Sequence, residues 1–395
     1  MKRSPPLARP KLLLVVTEDW YFVSHRLPLA LGAIAAGMDV AIATNVSSHG
    51  DLISRAGIEV HPWNLRRGST GLWAEFKSLL GLWRIYRRVR PDIVHQVAIK
   101  PVLYGGLAAK LTGTTRVVNA LGGMGSLFST ESGRKRALRA LVSMGFRWLI
   151  NGRSNVLILQ NPDDAALLVE GARIDPANIR LIRGAGVNVR QFDVSAEPDG
   201  VPLVVLPARM LADKGVREFV EAARILKSAG LAVRMALVGE PDACNPDSIA
   251  ADSLRAWADS GDVEWWGRRE DMPAVYAAAS LVCLPSYREG LPKSLLEAAA
   301  CGRAIVATDV PGCREIVRHG ENGMLVPARD AKALAAAIAI LVNDPQLRRS
   351  MGSKGREMVL QEFSEESVVR ETLDIYRALL PGSTLALGAR STAAI

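Results

Sequence analysis

No apolar run in this chain approaches the ~18 residues needed to cross a bilayer, so no spanning helix is expected. The stretch before residue 11 is basic and rich in proline. The apolar run 12–16 that follows is too short for a signal-peptide core, so the sequence reads as cytoplasmic. Cysteine is scarce. Cys244, Cys283, Cys301 and Cys313 have neither metal-ligand spacing nor the density of a disulfide framework, and read as buried free thiols. Neither an Asp-x-Asp pair nor a histidine cluster at metal spacing occurs, so no metal and no cofactor are expected. Gly-x-Gly-x-x-Gly is missing after the first candidate strand, which argues against a nicotinamide oxidoreductase. Aromatic residues are only 5% and form no stacking platform. A base-reading motif is also absent, which argues against a nucleic-acid-binding protein.

What the 395 residues do have is apolar weight, 49%, enough for two cores. Charge is unevenly spread. Residues 1–195 carry 26 Lys and Arg against 13 Asp and Glu, a net +13, whereas 196–395 carry 23 against 27, a net −4. A basic half suggests an anionic partner, nucleic acid or a membrane surface.

Short apolar runs alternate with helical patterns. Strands are expected at 11–16, 40–44, 58–61, 93–96, 116–119 and 155–160, with helices at 24–36, 72–89, 101–111 and 135–150 between them. Polar residues without periodicity at 192–201 read as a linker. The rhythm then restarts, with strands at 203–206, 234–238, 263–266, 281–284, 304–307 and 324–326, and helices at 216–228, 248–258, 272–279, 292–300 and 331–342. The expectation is α/β, with two doubly wound Rossmann-like domains, 1–195 and 196–363, facing across a cleft. A helix at about 364–380 packs back on the first domain, and 381–395 is a loose tail. No short-period repeat is present.

The strongest constellation is Arg288-Glu289-Gly290-Leu291-Pro292-Lys293-Ser294-Leu295-Leu296-Glu297. It follows a strand and opens a helix, with Pro292 suited to the first turn. Gly290 lets the backbone approach a ligand, and a helix start receives an anion such as a diphosphate. Glu289 and Glu297, eight apart, can accept hydroxyl hydrogen bonds. A capped helix with surface glutamates is the bland alternative. A second constellation, Pro207-Ala208-Arg209-Met210-Leu211-Ala212-Asp213-Lys214-Gly215, follows the first strand of the second domain. Arg209 and Lys214 there could hold a diphosphate in place of a divalent ion, or be solvated loop cations.

Together these motifs resemble the retaining glycosyltransferases of the GT-B fold, specifically family 4. Supporting positions are Gly239, Gly267, Gly302, Pro311-Gly312 and Glu321-Asn322-Gly323. The resemblance implies a nucleotide-sugar donor, most simply a UDP-sugar, with Glu289 on the donor sugar and Glu297 on the ribose. It implies Arg209 and Lys214 on the leaving diphosphate, and the amides of Gly290, Leu291, Pro292 and Lys293 as support, Pro292 lending only its position. Gly239 and Arg268 belong to the nucleotide site, the loop Gly267-Arg268-Arg269 lying near the base. Front-face attack within an ion pair requires no protein nucleophile, and none is evident.

The first domain departs from the family pattern. Its first loop, Thr17-Glu18-Asp19-Trp20-Tyr21-Phe22-Val23-Ser24-His25-Arg26, lacks a double glycine. In Asn119-Ala120-Leu121-Gly122-Gly123-Met124-Gly125, Gly122 stands where many relatives carry His, leaving Gly123 and Gly125 to offer amides. Residues 22–26 and 92–101 resemble a subgroup that builds bacterial surface polysaccharides on polyprenyl-diphosphate-linked acceptors. His25 and His95 are candidate acceptor or donor contacts or structural residues, and Glu18 and Asp19 candidate acceptor contacts or ordinary loop carboxylates.

Apolar residues at 72, 76, 79, 80, 83 and 86 form a helical face beside Lys77, Arg84 and Arg88. Arg134-Lys135-Arg136, Arg139, Phe146-Arg147-Trp148, Trp63 and Arg66-Arg67 add to the inventory. The expected partners are therefore the donor, a lipid-linked or oligosaccharide acceptor, and an anionic inner-membrane surface on the cytoplasmic side. A nucleotide-sugar epimerase of the same fold is the alternative enzyme.

Overall fold

The computed structural model describes residues 9–65, 72–123, 133–243, 245–381 and 385; side chains of 72 and 133–137 are outside that description. Arg66-Arg67, Met124, Gly125, the side chains of Arg134-Lys135-Arg136, Cys244 and nearly all of the tail after 381 therefore lie outside the described residues. The chain divides into two compact units, residues 1–185 with 366–395, and residues 186–365.

The first unit holds a parallel sheet of β1 (Lys11–Glu18), β2 (Asp39–Asn45), β3 (Glu59–Pro62), β4 (Ile93–Val97), β5 (Val117–Ala120), β6 (Asn155–Leu159) and β7 (Ile179–Leu181). Its order is β3-β2-β1-β4-β5-β6-β7. Helices α1 (Asp19–His25), α2 (Leu27–Ala35), α3 (Gly50–Arg55), α4 (Leu72–Val89), α5 (Ile99–Thr112), α6 (Gly133–Ile150) and α7 (Pro162–Ala172) connect the strands. β1 shows why both faces are covered. Leu12, Leu14 and Val16 enter one core and Leu13 and Val15 another, so a continuous apolar run serves two helical layers. A single helix over 24–36 is not formed; the chain breaks at Arg26, between α1 and α2.

The second unit repeats the plan with β8 (Leu203–Pro207), β9 (Arg234–Val238), β10 (Glu264–Trp265), β11 (Leu281–Leu284), β12 (Ala304–Thr308) and β13 (Gly323–Val326). Their order is β10-β9-β8-β11-β12-β13. Its helices are α8 (Val216–Ser228), α9 (Ala251–Asp259), α10 (Met272–Ala278), α11 (Lys293–Ala300), α12 (Cys313–Ile316), α13 (Ala331–Asn343) and α14 (Pro345–Glu362). Both sheets reverse strand order beside their first strand, between β1 and β4 and between β8 and β11. Ligands of such sheets bind at this switch point, beyond the carboxyl ends of the strands.

The final helix, α15 (Glu365–Leu379), joins the first unit, burying Val368, Leu373 and Tyr376 in the core around β1. The expected linker is corrected. The second unit begins at Gly186, and 192–198 is strapped to it by three arginines. Arg356 donates to the carbonyls of Val189 and Phe192, Arg303 to Ser195 Oγ and Ala196 O, and Arg348 to Glu197. A polar stretch without periodicity reads as a linker, yet here its polarity serves cations 100 or more residues away in sequence. The cysteines Cys283, Cys301 and Cys313 are buried free thiols, and burial pushes each thiol pKa up. Among the described residues no helix is long and apolar enough to cross a membrane.

Candidate active site

The two loops that leave β8 and β11 converge because those strands pair side by side. The β8 loop ends in a short 3-10 turn, Ala212–Lys214, closed by Gly215 in the left-handed region at φ 71°. A Cβ on Gly215 would collide with the carbonyl of Pro285 at the start of the β11 loop. Only glycine lets the loops touch here. The Tyr287 amide donates to the Asp213 carbonyl at 2.8 Å and fixes their register. From the other side Gly312, at φ 81°, lies against the Glu289 and Gly290 carbonyls, where a Cβ would also collide.

That backbone frame brings Lys214 Nζ to Glu289 Oε1 at 2.5 Å, with both side chains largely buried. Ser286 Oγ donates to the same oxygen at 2.7 Å. Asp213 lies beside the pair. Burial pushes its carboxyl pKa up; Lys214 pulls it down and Glu289 pushes it further up, and its Oδ1 has no partner among the described residues. Arg209 pairs with Asp242 at 2.6 Å, but its side chain is 50% exposed, so that pair is weak. Glu297 sits one turn into α11. Its Oε2 accepts from Tyr276 Oη at 2.9 Å and its Oε1 is 3.8 Å from Lys293 Nζ. Burial is the main cause of its raised pKa, opposed by Lys293 and the Tyr276 hydrogen bond.

Arg209, Lys214 and Lys293 thus each rest on a carboxylate, and all belong to the crevice side of one sheet. An entering dianion would compete with those carboxylates for the cations, most easily at exposed Arg209.

Pro292 is corrected by one position. It is the N-cap, with extended backbone (ψ 114°), and α11 begins at Lys293. Leu291 packs its side chain in the core, so only its backbone can serve a ligand. Gly239, at the end of β9, donates its amide to the Gly267 carbonyl. Arg268 in that neighbouring loop is exposed and 3.6 Å from Glu270. Sequence reasoning missed Ser286, Tyr276 and Asp242 as partners and gave Asp213 no role. Ser286 was visible only as a hydroxyl at the loop's start, and Tyr276, 21 residues before Glu297, gave no spacing signal.

In the first unit, His25 stacks on Tyr21 with ring centroids 4.3 Å apart, and its Nδ1 is 2.6 Å from Ser24 Oγ. Gly123 has φ 140° at the end of the described β5 loop. A Cβ on its neighbour Gly122 would lie 3.5 Å from Tyr21 Oη and 3.7 Å from Gln160 Nε2, so Tyr21 and Gln160 border the space that a side chain at 122 would fill.

For two candidates there, His95 and Asp19, the structural alternative is the one the structure shows. His95 is fully buried in the central strand β4, with Nδ1 2.6 Å from Tyr376 Oη of α15. Burial, then Arg26, holds its pKa well below the ordinary range, so it is a neutral tie between sheet and helix. Asp19 is also fully buried, accepting from the amides of Trp20, Ser47 and His49 and from Ser47 Oγ. Burial pushes its pKa up but those donors pull it lower than the ordinary value, and the carboxylate is spent holding the 47–49 loop. Glu18 accepts from Asn45 Nδ2 at 3.0 Å. Among the described residues no group of three His, Cys, Asp or Glu could hold a metal ion.

Residues 201–344 match the family model of glycosyl transferases group 1, and residues 11–161 match that of glycosyl transferase 4-like domains. The chain is 28% identical to the N,N'-diacetylbacillosaminyl-diphospho-undecaprenol alpha-1,3-N-acetylgalactosaminyltransferase of Campylobacter jejuni, covering 81% of this chain and 86% of that one. It is 23% identical to the UDP-Gal:alpha-D-GlcNAc-diphosphoundecaprenol alpha-1,3-galactosyltransferase of Escherichia coli, over 76% and 79%. Its fold is similar to that of sucrose-phosphate synthase from Thermosynechococcus elongatus, with a TM-score of 0.80 at 21% identity, covering 95% of this chain and 100% of that one. With two matched domains on two parallel Rossmann-like sheets, this chain belongs to the GT-B glycosyltransferases, in the glycosyl transferase group 1 family.

Proposed function

We propose that this glycosyltransferase moves a sugar from a UDP donor to a polyprenyl-diphosphate-linked acceptor in bacterial surface-glycan assembly, with retention and without a metal ion. The convergence of Lys214 and Glu289 at the switch point of the second sheet carries the reading. Lys214 and Arg209 neutralise the diphosphate as it leaves, the largest electrostatic demand of the step. The amino end of α11, with the backbone of Gly290 to Lys293, supports the phosphates. Glu289 accepts from donor-sugar hydroxyls and Glu297 from the ribose, while Gly239 and Arg268 border the base. His25 serves the acceptor side, and Gly123 offers its backbone to the donor sugar or phosphate.

In the reaction the bond from the anomeric carbon to the diphosphate oxygen breaks and a bond to the acceptor oxygen forms on the same face. The acceptor proton passes to the departing phosphate. An α-glycoside formed from a UDP-hexose whose anomeric bond is itself α is net retention, and both relatives named above are alpha-1,3 transferases. Their diphospho-undecaprenol acceptors support a lipid-linked acceptor here, and the proposed reaction runs at the cytoplasmic face of the inner membrane.

The test incubates the purified chain with a panel of UDP-sugars, with and without undecaprenyl-diphosphate-linked saccharide, in EDTA. Acceptor-dependent release of UDP and a mass gain of one sugar are expected. Release that strictly requires a divalent ion contradicts the cationic site, and epimerised donor without UDP release overturns transfer altogether.

A further inference from the structure

Helix α6 has more apolar surface than its fold uses. One face, Val142, Phe146, Leu149 and Ile150, is buried in the core. A surface helix needs only one such face. Yet a second stripe, Leu138, Leu141, Met144 and Trp148, is between 51% and 64% exposed. Trp63 and Phe146, expected at a membrane surface from sequence, are core residues instead, which leaves Trp148 as the aromatic of this stripe.

Beside the stripe runs a groove of about 670 Å³, in which Arg139, Ser143 and Arg147 of α6 face Leu167 and Glu170 of α7 and Arg173, which caps that helix. Three guanidinium groups meet one carboxylate there. Arg173 is held at the groove by a left-handed backbone, φ 54°, a conformation that favours glycine. Lys110 of α5 lies 4.6 Å from the Trp148 ring, adding a fourth cation at the stripe's edge. On the far side of α5, Trp73 and Phe76 of α4 are also exposed, and Glu75 ties α4 to Lys100 at the start of α5.

We propose that the α6 stripe and the α6–α7 arginine groove form one docking site for an anionic phospholipid bilayer. The stripe enters the acyl boundary and Arg139, Arg147 and Arg173 take phosphodiester headgroups. A helix with apolar residues on one flank and arginines on the next lies in the interfacial plane in this way. Charge complementarity decides the occupant: pairing this face with a second copy would oppose two cationic surfaces. Because α6 follows β5, its amino end starts at the carboxyl edge of the first sheet, the edge that holds His25 and Gly122. Docking there would present a lipid-linked acceptor at that edge. This last consequence rests on the functional reading above; the docking site does not.

The test is vesicle flotation of the full chain without donor or acceptor, with UDP binding by calorimetry in parallel. Wild type should float with mixed phosphatidylglycerol–phosphatidylcholine vesicles and far less with pure phosphatidylcholine. The L141E/M144E variant should lose binding by at least ~100-fold, since each exposed side chain contributes on the order of tenfold or more when buried. The R139Q/R147Q/R173Q variant should lose roughly 100-fold on the anionic vesicles alone. Glycerol phosphate should not compete, and UDP affinity and melting temperature should stay at wild-type values in both variants. Unchanged flotation of both variants overturns the proposal, as does competition by free phosphate. A wild-type dimer dissolved by L141E/M144E without any vesicle binding overturns it in favour of a subunit interface. Absent UDP binding with intact flotation would instead strike the donor site and spare the docking site.

Discussion

The two units share one strand order and one switch point, yet they spend their charges differently. In the second unit the loops after β8, β9 and β11 keep cations and carboxylates at the crevice, Lys214 on Glu289 and Arg209 on Asp242. In the first, the start of α1 gives its buried carboxylate, Asp19, to four donors of the fold, and β4 gives His95 to Tyr376. Topology supplies a crevice in both; in the second the cations sit in ion pairs that an entering anion can contest, whereas in the first Asp19 and His95 are locked into the fold.

That contrast can be broken by mutation. Lys214→Ala should lower transfer by roughly 10²–10³-fold with the fold intact, the usual loss when one donor to developing negative charge is removed; steady-state UDP release checks it. Asp19→Ala should do the reverse. We expect about 3 kcal/mol of lost stability from unsatisfied loop donors, measured by urea denaturation, and unchanged UDP affinity. Glu297→Gln should weaken UDP binding by roughly 10- to 100-fold, the range for hydrogen bonds to a charged acceptor, read by calorimetry. Tyr376→Phe should cost about 1 kcal/mol of stability and leave transfer rates alone.

The same pair of carboxylates sharpens the comparison through pH. Asp19 has a folded pKa lowered from 3.8, so it contributes stability above that value that is lost as pH falls through the folded pKa. Glu297 is raised from 4.5, so its contribution is full below that value and lost as pH rises through the folded pKa. Urea midpoints across acidic pH should show opposite slopes removed by Asp19→Asn and Glu297→Gln respectively.

The two-sheet plan was legible because β-length apolar runs alternate with helical periods, and the meeting of Lys214 with Glu289 because their motifs sit at the ends of neighbouring strands. Other features depend on distant partners. Position alone left His95 and Asp19 open between ligand contacts and structural residues, and only Tyr376 and the 47–49 loop decide for the structural role. The 192–198 strap read as a linker because Arg303, Arg348 and Arg356 are far off in sequence. Strand β7 is a three-residue edge, Ile179–Leu181, too short to announce itself by any alternation. The exposed stripe of α6 could not be told from a core face, since periodicity does not say which apolar face is covered.

The central claim is that a diphosphate binds where the β8 and β11 loops meet. A crystal of the chain soaked with UDP tests it directly. The account predicts the diphosphate within hydrogen-bond reach of Lys214 and the amino end of α11, with the ribose hydroxyls on Glu297. A well-ordered UDP anywhere else, with the Lys214–Glu289 pair undisturbed, would contradict it.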